Sequence, residues 1–221
     1  MYKRPLLFIG YTLIVIFASS LMTSVYFHKY VMTAPAGESL RFITAEQAEN
    51  SPLKDINAIV EVFSYACHYC EVNEGNIAEL EKNLPVGTRL IRLHLNDAEQ
   101  SGMAAFAPLF ATLTVMGIEA RHRPAAYQAI IKDKIDLADK AQLARWLQAN
   151  GIDEAEYAKA KDSEQVSAML GYMTAVSSYY QINATPSFIV NRKWLATQDR
   201  DFPAFSKQLL SLLQHDKPLE P

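Results

Sequence analysis

Apolar and polar positions divide the chain into a β–α–β opening, a long helical middle and a β–β–α close. Asn57 to Ser64 ("NAIVEVFS") is β-branched and apolar except for Glu61, the pattern of a buried strand. From Cys67 the spacing turns helical. Val72, Ile77, Leu80 and Leu84 fall near one face, and "LPVG" closes the segment. Thr88 to Asn96 ("TRLIRLHLN") alternates as a strand should, so a βαβ unit is predicted with two cysteines where its helix begins. Leu40 to Thr44 ("LRFIT") reads as a short edge strand, and residues 97–181 read as helical throughout. In that middle, "MAAFAPLFATLTVMG" is predicted to be one long apolar helix. Helical stretches "AAYQAIIKDK", "DKAQLARWLQANG" (capped by Asp139 and closed by Gly151) and "DEAEYAKAK" follow, and then another long helix, "SEQVSAMLGYMTAVSSYYQI", capped by Asp162 or Ser163. Then "PSFIV", a tight turn at "NRK" and "WLA" restore β character. Asp199 or Asp201 caps a final amphipathic helix carrying Phe205, Leu209, Leu210, Leu212 and Leu213.

The N-terminus changes the compartment. Pro5 to Phe27 runs 23 residues without a charge. As a helix it would span roughly 34 Å at about 1.5 Å per residue, enough for a bilayer core. Lys3 and Arg4 ahead of it predict a cytoplasmic N-terminus with the rest exported. A cleaved signal peptide ending near Ala18 and Ser20 is the competing reading, and both export the domain. The expected organisation is a cytoplasmic tip at 1–4, a transmembrane signal anchor at 5–27 and a linker at 28–39. A single α/β domain at 40–214 and a tail at 215–221 follow. The expected place is the inner membrane, single-pass, with the domain in the periplasm; a soluble periplasmic form is the alternative. A net charge of −3 and the lack of a basic tract argue against a nucleic-acid partner.

Export also changes how the cysteines read. Cys67 and Cys70 are the chain's two cysteines, and unneeded thiols in an oxidising compartment tend to be lost or paired. A CxxC pair alone reads as a working dithiol. A structural disulfide is one alternative. Half of a zinc site is another, but the histidines have no ligand spacing, so neither a metal nor a cofactor is expected.

Three stretches, "FSYACHYC", "ANGIDEAEY" and "INATPSFIVN", together resemble the DsbA group of thioredoxin-fold thiol-disulfide oxidoreductases, over about residues 40–214. The resemblance implies a thioredoxin-like α/β fold with a helical insertion at about 97–181. It implies a cis Thr185–Pro186 bond beside the CxxC, with Pro186 and Thr185 receiving a substrate strand. It also implies an acid six residues before the first cysteine, Glu61, and a base ahead of "LHLN", Arg92. The dipeptide departs from the family's usual Pro-His: here it is His68-Tyr69. Tyr69 and Thr185 are more like the isomerase relatives DsbC and DsbG.

The implied chemistry assigns roles. Cys67, at a helix N-terminus, is the exposed nucleophile and Cys70 the resolving thiol, joined as a Cys67–Cys70 disulfide in the oxidised form. Protonated His68 would favour a neighbouring thiolate; its bland reading is a solvated loop side chain. Tyr69 is either a substrate contact or an apolar plug. Glu61, its pKa raised by burial, would pass a proton to and from Cys70, with Arg92 as counter-charge holding it ionised. The alternative leaves both at an exposed edge. His94 reads as a satisfied core histidine. The expected function is disulfide formation in exported proteins, with folding chains as clients and a DsbB-like quinone-linked membrane oxidase as partner, the chain itself a monomer. A reductase or isomerase with an electron donor, and a client-specific thiol chaperone, are the rivals.

Overall fold

The computed structural model of the protein describes Thr12, residues 15–24 and residues 39–219. These fall into two units divided at Glu38 and Ser39. In the first, Thr12 and residues 15–24 are helical. Among the described residues no helix is long and apolar enough to cross a membrane. The expected span at 5–27 lies only partly on described residues. Residues 1–4, and all of the expected linker except Ser39, lie outside them.

The second unit is built on a five-stranded sheet: β1 (Leu40–Phe42), β2 (Ala58–Phe63), β3 (Arg89–His94), β4 (Ser187–Val190) and β5 (Trp194–Thr197). The strand order is β1-β5-β4-β2-β3. Only β2 and β3 run parallel; the other pairs are antiparallel. The parallel pair needs a crossover, and the cysteine-bearing segment supplies it. All six residues of β2 are buried, which explains its continuous apolar run and isolates its one acid.

Helices cover both faces of the sheet. On one face, Ile77 and Leu80 of α3 (Glu74–Lys82) pack with Phe205, Leu209 and Leu212 of the C-terminal α9 (Phe202–His215), against Ile59, Phe188 and Val190. On the other, Val60, Val62 and Ile189 meet the insertion. The insertion contains α4 (Ala107–Val115), α5 (Glu119–Tyr127), α6 (Lys140–Ala149), α7 (Glu154–Lys161) and α8 (Glu164–Tyr179). The thioredoxin-like α/β architecture with inserted helices is thus as the resemblance implied.

The differences lie in element boundaries and have local causes. The helix expected from Cys67 is two helices, α2 (His68–Val72) and α3, hinged at Asn73, whose side chain donates to Gln198 Oε1 at 2.7 Å. The long apolar helix expected over Met103–Gly117 is a 3-10 segment, Gly102–Phe106, followed by α4. Pro108 near the start of α4 has no N–H to continue an earlier helix. Pro124 lies inside α5, and that helix runs on into a π turn at Gln128–Lys132. A short helix, α1 (Ala45–Glu49), was not expected, although its capping box is legible: Thr44 and Gln47 satisfy each other's backbone N–H groups. Asp139 caps α6, and Gly151 beyond its end takes a φ of +66°, which suits glycine. Ser163 rather than Asp162 caps α8. Asp201 is the N-cap residue of α9, while Asp199 binds Ser39 and Arg200 instead.

Candidate redox site and its buried charge cluster

Strand β2 ends at Phe63, and the chain turns sharply before α2. Several contacts hold that turn. The Ser64 hydroxyl donates to Met103 O at 2.8 Å and accepts the Ala66 N–H at 3.1 Å. The Cys67 N–H donates to Ser64 O at 3.0 Å. The Tyr65 N–H donates to His94 Nε2 at 3.1 Å. Cys67 is then the N-cap of α2, and its Sγ accepts the Cys70 N–H at 3.1 Å. Cys67 and Cys70 are joined as a disulfide, with Cα atoms 5.2 Å apart. The same N–H would face a Cys67 thiolate after reduction, which favours the charged form.

The loop before β4 closes over this turn. The Thr185–Pro186 bond is cis. Thr185 O lies 3.3 Å from Cys67 Sγ, and the Thr185 hydroxyl donates to Met103 Sδ at 3.3 Å. These neighbours explain one departure from the sequence reading: Cys67 is nearly buried, 3 % exposed against 0 % for Cys70. Thr185 is half-buried and Pro186 buried. Tyr69, at 70 % exposure, is no apolar plug; it stands in solvent beside the site. His68 is also exposed. Its Nδ1 lies 3.3 Å from Glu71 Oε2, and that oxygen also takes Lys132 Nζ at 3.0 Å.

Behind the turn lies a cluster of charges. Glu61 is fully buried, and Arg92 is its cross-strand partner in the parallel β2–β3 register. Arg92 Nε comes within 2.7 Å of Glu61 Oε2, but neither Glu61 oxygen gains a hydrogen bond among the described residues. Arg92 directs its other two nitrogens at Glu74 of α3, at 2.9 and 2.6 Å, and its guanidinium lies over the Phe63 ring. Arg123 of α5 binds Glu119 through Nε (2.9 Å) and Nη2 (2.5 Å), and reaches Glu74 at 3.3 Å. Finally, the Tyr65 hydroxyl donates to Glu119 Oε1 at 2.8 Å.

Of the residues expected from sequence, Cys67, Cys70 and Thr185 meet at the turn, and Glu61 meets Arg92 behind it. Burial was expected to raise Glu61, with Arg92 opposing it as counter-charge. Burial does outweigh Arg92's attraction, and nearby Glu74 adds repulsion, so the Glu61 carboxyl is raised above the ordinary range. The reason is geometric: the bidentate grip of Arg92 goes to Glu74. Burial also opposes ionisation of Glu74, yet hydrogen bonds from Arg92 and the charges of Arg92 and Arg123 hold it below the usual carboxylate range. Burial and the neighbouring Glu119 push the Tyr65 phenol well up. Sequence reasoning missed Glu74, Glu119, Arg123 and Tyr65. The i, i+4 pair Glu119/Arg123 was readable as a helical ion pair, but nothing in the sequence places it against β2.

His94 is the core histidine expected. With Nε2 accepting from Tyr65, the ring carries its proton on Nδ1, which donates to Leu95 O at 2.7 Å. Burial lowers its pKa from 6.5 to about 4. Among the described residues no group of three or more His, Cys, Asp or Glu is arranged to hold a metal.

Two stability tests follow from this geometry. Arg92→Met leaves Glu61 and Glu74 without their shared cation, and unfolding in urea is expected to lose about 3–5 kcal/mol. A variant as stable as the parent would mean that the cluster contributes nothing. For His94 the unfolded chain takes up a proton below about pH 6.5 and the folded one only below about 4, so folding weakens as pH falls through that window. His94→Gln keeps an acceptor for Tyr65 without titrating. From pH 7 to 4 the parent should lose about 3 kcal/mol more stability than this variant. Parallel losses in the two proteins would remove His94 from the account.

The profile of the DSBA-like thioredoxin domain family matches residues 88–210. The thiol:disulfide interchange protein DsbA of Azotobacter vinelandii is 31 % identical over 137 residues, 62 % of this chain and 63 % of that protein. The DsbA of Pseudomonas syringae pv. tomato is 28 % identical over the same length, 62 % and 63 % of the two chains. The matches thus span less than two thirds of these curated relatives. A crystal structure of a point variant of Pseudomonas aeruginosa DsbA superposes with a TM-score of 0.67 at 24 % identity, covering 75 % of this chain and 90 % of that one. The family match takes in more than half of the chain, the helical insertion and the cis-proline loop among it, and the chain belongs to the DSBA-like thioredoxin domain family.

Proposed function

We propose that the protein is a thiol-disulfide oxidoreductase of DsbA type that passes the Cys67–Cys70 disulfide to exported, folding proteins. The observation that carries this reading is the placement of Cys67. It caps a helix, accepts the Cys70 N–H and lies against the carbonyl before a cis proline. In the proposed step a client thiolate attacks Cys67 Sγ. The bond to Cys70 breaks, and Cys70 leaves with the electron pair and takes a proton, for which Glu61 is the proposed donor. A second client thiolate attacks the client sulfur of the mixed disulfide and releases Cys67 as thiolate. The client gains one disulfide, and its two electrons reside in the Cys67–Cys70 dithiol until a membrane oxidase removes them.

Thr185 offers its backbone to an extended client segment, and Pro186, with no N–H, leaves that edge free of a competing donor. Tyr69 and Met103, both exposed beside the disulfide, supply apolar contact. Arg92 is the structural counter-charge, and His68 adds positive potential when protonated. Tyr69 and Thr185 favour a second reading, a reductase or isomerase that works from the reduced form. A redox equilibrium with glutathione separates the two, since an oxidant holds its dithiol in the reduced form against that buffer.

The roles of the cysteines are testable by trapping. Cys70→Ser lacks the resolving thiol, so mixed disulfides with clients should accumulate on Cys67. Trapping by Cys67→Ser and not by Cys70→Ser would reverse the assignment. A binding module without redox turnover would keep part of its function in Cys67→Ala.

The uncharged run from Pro5 to Phe27 supports an inner-membrane anchor with the domain in the periplasm. About a dozen linker residues would give a mean reach of roughly 20 Å from the bilayer, which suits a membrane-bound reoxidising partner. Cell fractionation decides this point. Protein that starts at Met1 and resists a carbonate wash is the expected result, whereas a soluble mature form beginning near Leu21 would show a cleaved signal.

A further inference from the structure

Five charged groups share the cluster behind the redox turn: the carboxylates Glu61, Glu74 and Glu119, and the guanidiniums Arg92 and Arg123. Three negative charges against two positive leave one carboxylate without a matching cation, and a carboxylate that is fully buried favours its protonated form. Hydrogen bonding decides which carboxylate that is. Glu74 receives donors from both arginines, and Glu119 receives Arg123 twice and the Tyr65 hydroxyl. Glu61 has a single close contact among the described residues, with Arg92 Nε at 2.7 Å, in the driest position of the three. Of the three carboxylates, Glu61 is therefore the one that most readily holds a proton.

We propose that Arg123 and Glu119, which belong to the helical insertion and not to the thioredoxin core, are positioning residues that set the pH at which Glu61 exchanges its proton. The inference rests on the reading above that Glu61 serves Cys70. Arg123 supplies the second positive charge and shares the load on Glu74, so that Arg92 can turn its Nε to Glu61. Glu119 holds Arg123 in place and absorbs part of its charge. The other titratable groups around the cluster are Tyr65 from the turn, Tyr127 from the end of α5 and His94 from β3. Both phenols are held protonated by burial and by neighbouring carboxylates. His94 is neutral with both ring nitrogens engaged. The directions agree: Glu61 is raised by burial, and Arg123 is among the groups that lower it.

Two substitutions then act in opposite directions. Arg123→Met leaves three carboxylates on one guanidinium, so Glu61 keeps its proton to higher pH. Glu119→Gln leaves two carboxylates on two guanidiniums, so Glu61 loses it at lower pH. The readout is the rate at which Cys70 expels glutathione from a Cys67–glutathione mixed disulfide, measured with the full chain in detergent from pH 4 to 9. In this step Cys70 gives up its proton, its thiolate attacks Cys67 Sγ, and glutathione leaves as the thiol. The Glu61-dependent midpoint should rise for Arg123→Met and fall for Glu119→Gln, each by on the order of one pH unit. Arg123→Lys keeps the charge and should stay within about 0.3 unit of the parent, by the same charge argument. Loss of packing alone would lower the melting temperature of both variants without opposite shifts. If Arg123→Met does not fold, the downward shift of Glu119→Gln decides. A parent whose profile has no step removed by Glu61→Gln overturns this inference and the role of Glu61 together. A parent with that step and unshifted variants overturns this inference alone.

Discussion

A carboxylate in the middle of a strand with no exposed residue constrains the rest of the site. Glu61 lies on β2 between β3 and β4, with its side chain fully buried. Moving an ion of that size out of water costs several kcal/mol even after relaxation. The strand is stable with this acid because the parallel register puts Arg92 directly opposite, and because the charge can be cancelled by a proton. Arg92 is itself too buried to stand alone. Its own charge requires Glu74 of α3, and the sharing of Glu74 brings in Arg123 and Glu119. One acid in β2 thus fixes the side chains facing it from β3, α3 and α5.

The same arrangement ties the helical insertion to the redox turn. The insertion covers one sheet face with apolar contacts, and it also reaches the turn through three polar links. Met103 O takes the Ser64 hydroxyl, Glu119 takes the Tyr65 hydroxyl, and Glu71 beside Cys70 takes the Lys132 ammonium. Ser64 and Tyr65 shortly precede the CxxC, so the backbone that presents Cys67 is held from both sides. His94 holds it from β3. Phe63, Tyr65, Phe110, Tyr127 and the His94 ring pack edge-to-face or tilted beneath the turn, with centroid separations such as 5.3 Å for Phe63–Phe110 and 5.5 Å for Tyr65–Tyr127. Such contacts leave the turn little freedom to shift when the disulfide opens.

The dipeptide between the cysteines contrasts with this packing. His68 and Tyr69 project into solvent, and their contacts are with each other, at 6.0 Å between ring centroids, and with Glu71. An exposed aromatic surface thus stands in front of a firmly held sulfur pair. Cys67 is shielded by Thr185 O, and the Thr185 hydroxyl in turn rests on Met103 Sδ. Met103 is an unbranched and adaptable side chain that stays exposed at this edge.

The sequence alone determined what short-range rules can carry. The apolar run of β2, the turn to helix at the cysteines, the cap Asp139, and the Thr-Pro at the head of β4 could each be read locally. Their order along the chain gave an α/β domain with a helical insertion, and the resemblance to the DsbA group named its thioredoxin-like fold. Cys67 and Cys70 could be picked out as the only thiols at a strand-to-helix turn, whereas Pro186, Glu61 and Arg92 were marked by the resemblance to the DsbA group. Partnership between distant elements could not be read that way. Glu74, Glu119 and Arg123 look like solvated helix charges in the sequence, since a helical i, i+4 pair on a surface has the same pattern as one turned inward. Only the packing of α3 and α5 against β2 made them a cluster. The same holds for the share of Arg92 that reaches Glu61, because a guanidinium has five donors and only the tertiary structure decides which carboxylate receives two of them. The near burial of Cys67 was likewise set by a loop more than a hundred residues away, whose approach no local pattern encodes.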